Sequence, residues 1–124
     1  SLDAFDGKMN TLLIPGNVRI YELTLKRGSL NFNLANNKVS FIIDDLRKPY
    51  SEPGVDIAAG RIIIRSEKGQ KDSSVILTLN YDLDIVYGAG DENTGEKKFN
   101  PASIPYKFSM TNIGTGKIRI EEIA

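Results

Sequence analysis

Two aspartates set two apart, Asp82 and Asp84, end the polar row of the stretch SSVILTLNYDLDIVYG, and Asp91 and Asn93 follow in GAGDENTGEKKFNP. Carboxylate and amide oxygens in such a run are the hard donors that calcium takes. On an extended strand, side chains two apart lie about 7 Å apart on one face. A helix–loop–helix calcium loop counted from Asp91 needs a glutamate at its twelfth position, and Ala102 stands there. No metal is therefore expected; Asp82, Asp84, Asp91 and Asn93 are the residues that would hold one. The simpler reading takes Thr78, Asn80, Asp82 and Asp84 as the wet face of a half-buried antiparallel strand.

Other chemistry is sparse. The chain has no cysteine and no histidine, which removes disulfides, thiolate ligands, the commonest general base and the histidine-dependent triads. Ser51, Ser73 and Ser74 have no base to activate them. Gly88-Ala89-Gly90 is not followed by the helix that a phosphate loop requires. A non-catalytic protein without a cofactor is expected. Lysine plus arginine equal aspartate plus glutamate at 16 each, and the pairs Arg47-Lys48 and Lys97-Lys98 make no basic patch, so no nucleic-acid partner is expected.

Two aromatics fall where a ligand could meet them. Tyr50 and Phe99 sit in the two longest connections, where an aromatic either plugs the end of the fold or stacks on a planar or sugar ligand. These are the candidate ligand-binding residues.

The elements that must position them read almost wholly by alternation. A strand is expected over Phe5–Ile14, closed by Pro15-Gly16-Asn17. Three strands in meander are expected between Val18 and Asp44, with Tyr21, Leu23 and Leu25 on one face and Leu30, Phe32 and Leu34 inward. Asn36-Asn37 suits the hairpin turn. Pro49 and Pro53 forbid a central strand in LRKPYSEPGVD, and one helical turn near Asp44–Lys48 is the only helix the pattern allows. Extended structure resumes at IAAGRIIIRS. One long strand then runs from Ser73 to Tyr87, its apolar row Val75, Leu77, Leu79, Tyr81, Leu83, Ile85 and Tyr87 facing the core. A strand of that length suits sharing between two sheets or bending around a barrel. A last hairpin turns at Gly114-Thr115-Gly116.

At 124 residues the chain is one domain, residues 1–124, large enough to hold a core without staples. About eight short-spaced strands make an all-β fold, a single antiparallel barrel or a sandwich. No apolar run has the roughly 20 residues of a membrane-spanning helix. The chain opens on Ser1-Leu2, which reads as a trimmed form, so an export signal or lipid anchor would lie upstream.

The opening FDGKMNTLLI, the segment NNKVSFIIDDL and the long strand with polar outer positions resemble the calycin-like β-barrel domains of Bacteroidetes envelope lipoproteins. Phe5-Asp6-Gly7 matches the aromatic-x-Gly motif that begins the first strand in that group. The resemblance implies an extracytoplasmic module, in the cell envelope or secreted, with no catalytic residues to carry over. The function expected is binding of a small or hydrophobic ligand. The alternative is an assembly or adhesion subunit that meets a protein partner through a sheet edge or outer face.

Overall fold

The computed structural model describes residues 2–123, and its first element is a helix. Leu2, Phe5 and Met9 recur at helical spacing along α1 (Leu2–Asn10) and are all buried. That stripe overrides the alternation of Phe5, Met9 and Leu13, and the expected strand over Phe5–Ile14 is corrected to a helix. Phe5-Asp6-Gly7 thus lies on α1. Asp3 in the first turn and Lys8 in the last complement the helix dipole. The Thr11 hydroxyl and amide both donate to the Lys8 carbonyl, closing the last turn.

Ten strands follow. They are β1 (Val18–Leu23), β2 (Ser29–Asn33), β3 (Lys38–Leu46), β4 (Asp56–Ala59) and β5 (Ile62–Lys68), then β6 (Ser73–Asn80), β7 (Asp84–Tyr87), β8 (Glu96–Phe99), β9 (Tyr106–Gly114) and β10 (Lys117–Ile123). They form a four-stranded sheet in the order β1-β9-β10-β7 and a six-stranded sheet in the order β4-β5-β6-β3-β2-β8. Neither sheet closes on itself. The fold is all-β and sandwich-like, and the barrel alternative is set aside.

Three strand expectations change. The meander is broken, because β1 pairs β9 in the smaller sheet while β2 and β3 form their hairpin in the larger. Residues 44–46 continue β3 past a register shift and Arg47-Lys48 form a bend, in place of the helical turn expected near Asp44–Lys48. The long strand from Ser73 is two strands, β6 in one sheet and β7 in the other. Asn37 accounts for the break. At φ 54° in the β2–β3 turn, its carbonyl accepts from the Tyr81 amide at 3.0 Å and its side-chain oxygen from the Ile85 amide at 2.9 Å. One residue thereby satisfies the backbone where β6 ends and where β7 begins. The smaller sheet is also mixed, since β7 runs parallel to β10.

The core lies between the sheets. Leu30, Phe32 and Leu34, Val39, Leu79, Phe108, Met110, Ile118 and Ile120 are buried there. Rings knit the layers edge to face: Phe32 and Phe108 have centroids 5.4 Å apart, and Phe5 of the helix meets Tyr21 at 5.3 Å. Among the described residues no helix is long and apolar enough to cross a membrane.

Candidate functional site

A sheet of six strands facing one of four leaves part of its inner face without a partner. On that face the register sets Phe41 beside Leu77 and Ile43 beside Val75 across β3 and β6, and Ile64 beside Leu77 across β5 and β6. Helix α1 packs Phe5 against Tyr21, Phe32 and Tyr81 and reaches this surface with Leu2, at its start. Beyond Leu2 an apolar groove of about 350 Å³ remains open, walled by Phe41, Ile43, Leu46, Ile62, Val75 and Leu77. Among the described residues Asp3 is the one charged residue on its lining, and Tyr50 stands on its rim with 68% of its surface exposed.

Tyr50 is held there by its neighbour in sequence. The Ser51 amide donates to the Ser66 hydroxyl at 2.9 Å, and the two hydroxyls lie 2.7 Å apart. Ser66 is fully buried, so it satisfies its hydroxyl against the β3–β4 connection. The Gly54 amide donates to the Ser66 carbonyl at 2.8 Å, pinning the same connection a second time. Ser51 therefore serves as a tether in the structure.

Phe99, the other candidate, lies elsewhere. It packs half-buried on β8 against Phe108 at 5.0 Å and Tyr106 at 5.3 Å between ring centroids, and it does not line the groove. Its ring extends the core to the edge of the larger sheet.

The four oxygen-bearing candidates are engaged or dispersed. Asp84 accepts from the Asn37 side-chain amide at 3.3 Å. Asp91 takes Arg119 at 2.6 and 3.2 Å, and the guanidinium holds its carboxyl below the usual carboxylate range. Asp82 and Asn93 are exposed, the first in the break between β6 and β7 and the second in the loop before β8. Among the described residues no three histidine, cysteine, aspartate or glutamate side chains are grouped to hold an ion.

The most engaged polar cluster ties the helix to the sheet. Tyr81 donates to Asp6 at 2.8 Å, and Arg61 pairs with the same carboxylate at 3.1 Å while its guanidinium lies 5.4 Å from the Tyr81 ring centre. Burial first, and the Asp6 carboxylate second, push the Tyr81 phenol up. Burial alone pushes Tyr21 up to about 12.

No family model matches the chain, and neither a curated protein nor a solved structure does. Sequence reasoning named Tyr50 but missed the groove walls, because Phe41, Ile43, Val75 and Leu77 carry the same alternating signal as ordinary core.

Proposed function

We propose that the protein is a non-catalytic binding module that takes a small hydrophobic ligand in the groove beneath Tyr50. The observation that carries this is the groove itself: about 350 Å³ of open space with apolar walls on the larger sheet, with an exposed tyrosine tethered on its rim. That size falls within the range of about 300–1,000 Å³ common for ligand pockets, which pair an apolar lining with few polar groups. Tyrosine on a rim offers a large flat surface at low entropic cost and one hydroxyl for orientation. The setting proposed with it, the cell envelope or beyond, rests on the likeness of NNKVSFIIDDL to envelope lipoprotein domains, since the opening segment folds as a helix.

A neutral naphthylamine dye tests this reading, because its fluorescence rises in apolar surroundings. The wild-type chain is expected to bind it saturably. Tyr50→Ala is expected to weaken binding, Ile43→Trp to fill the groove and abolish it, and Ile104→Ser, on an exposed residue outside the groove, to leave it unchanged. Equal binding by all four proteins would show that the dye sits elsewhere.

One observation favours the assembly reading. Edge strand β1 carries Val18 and Ile20 at 48% and 45% exposure, next in sequence to the exposed Leu13 and Ile14. Exposed apolar residues on a free sheet edge suit strand addition by a partner. Sedimentation of the chain with Ile20→Lys as comparison separates the two: an assembly mode requires concentration-dependent growth that the lysine removes.

A further inference from the structure

The groove under Tyr50 is not isolated. A second cavity of about 190 Å³ lies beside it, and the two share Leu2 and Phe41 as walls. Its inner lining is also apolar, with Tyr21, Leu23, Leu25 and Leu30, but Lys26 and Arg27 line it too. Both cations are exposed, and neither pairs with a carboxylate among the described residues. Arg27 uses Nη2, at 3.4 Å from the backbone carbonyls of Asp44 and Asp45, and among the described residues its Nε and Nη1 donors meet no acceptor. Gly28 makes this placement possible. At φ +80° it presses the turn onto β3, where an added Cβ would sit 2.5 Å from the Ile42 carbonyl and 3.1 Å from the Phe41 ring.

The two ends of this paired space differ in charge. Cations stand at the smaller cavity, and Asp3 stands at the larger. An elongated ligand with one anionic end has a single favourable direction in it.

We infer that the two cavities together take a free, unbranched carboxylate of the fatty-acid class, its head at Lys26 and Arg27 and its tail passing Leu2 and Phe41 into the groove under Tyr50. This rests on the proposed reading of the groove as a ligand site and adds the ligand's class and direction. Arg27 offers the carboxylate a charged donor at Nε or Nη1, and Lys26 adds a second positive charge. The tail has no polar group to satisfy along the way.

The test is a calorimetric titration of the intact chain with straight-chain carboxylates of eight to fourteen carbons and with the matching alcohols, all below their micelle concentrations. Affinity is expected to rise roughly fourfold per added methylene, the gain that follows from burying one such group, and to level off once both cavities are filled. Each carboxylate is expected to bind at least tenfold more tightly than its alcohol at low salt. The double variant Lys26→Gln, Arg27→Gln alters two exposed side chains, so it is expected to fold and to erase that difference while retaining alcohol binding. Equal affinity for acids and alcohols, with Tyr50→Ala weakening both, overturns this inference and leaves the groove reading standing. Absence of binding by acids and alcohols alike overturns both. Co-sedimentation with anionic phospholipid vesicles without any binding of the free acids would place the cations on a membrane surface and overturn the inference as well.

Discussion

The Tyr81 hydroxyl lies 2.8 Å from the Asp6 carboxylate, a contact that spans 75 positions of the chain. It joins helix α1 to the break between β6 and β7, and Arg61 closes the cluster from the turn between β4 and β5. The helix that narrows the groove is thus fastened by one carboxylate shared between a phenol and a guanidinium. Removing the phenol oxygen leaves Asp6 with Arg61 alone. Tyr81→Phe is expected to cost about 1.5–3 kcal/mol, the range for a hydrogen bond to a charged group. Urea unfolding of the two proteins measures it. A loss within error would mean that water replaces the phenol fully.

Alkaline pH probes the same packing. Burial pushes Tyr21 up to about 12 and also raises Tyr81, whereas an unfolded phenol titrates near 10. Between those values the unfolded chain has lost protons that the folded chain keeps. Stability from these groups is therefore complete below about pH 10 and falls as pH rises toward the folded values. The urea midpoint is expected to drop steadily from about pH 10 upward, and Tyr21→Phe is expected to flatten the slope. A midpoint that stays level to about pH 11 would contradict the burial of both phenols.

The long alternating stretch divides into a core row and an outer row, and two substitutions weigh them. Leu79 is fully buried, while Thr78 is partly buried on the opposite face with its hydroxyl 3.2 Å from that of Ser40. Leu79→Ala is expected to destabilise by about 2–5 kcal/mol. Thr78→Ala is expected to cost under about 1 kcal/mol. Comparable losses at both positions would mean that the outer face is buried in solution against another chain.

That division was legible because period-two alternation reports which side of a sheet is wet. The same signal points Leu30, Phe32 and Leu34 inward, and all three are buried. The switch of β6 into β7 was not legible, since its cause is Asn37, more than forty residues away, whose turn conformation satisfies both strand ends. Helix α1 escaped because Phe5 and Met9 fit a period of two as well as the helical stripe that includes Leu2. The candidate groove was only half legible. Tyr50 stood out as an aromatic in a proline-bounded connection, but the groove beneath it follows from unequal sheet widths, which no local pattern encodes.

Gly28 links the turn to the walls of both cavities. Its positive φ strains any side chain, and the nearest obstacle is backbone, the Ile42 carbonyl at 2.5 Å. Gly116 has a similar φ of +73° with nothing within 4 Å of an added Cβ. Gly116→Ala is expected to cost about 1 kcal/mol for conformation alone. Gly28→Ala is expected to cost clearly more, because β3 must shift as well. Thermal unfolding of both variants decides this, and equal shifts would show that the turn lifts away from β3 freely.

The tether beneath Tyr50 gives the last test. Ser66 is fully buried, and its hydroxyl accepts the Ser51 amide and faces the Ser51 hydroxyl. Ser66→Ala keeps the volume close to native but strips the Ser51 amide of its acceptor in a half-buried position. An amide left so costs about 1–3 kcal/mol, and the connection can recover it only by moving outward to water. Tyr50 must move with it, away from Ile43 and Leu46. Ser66→Ala is therefore expected to lose stability and to weaken dye binding in the groove, whereas Ser66→Thr retains a hydroxyl and is expected to preserve more of both. Lost stability with dye affinity unchanged would separate the tether from the site and show that Tyr50 keeps its place without it.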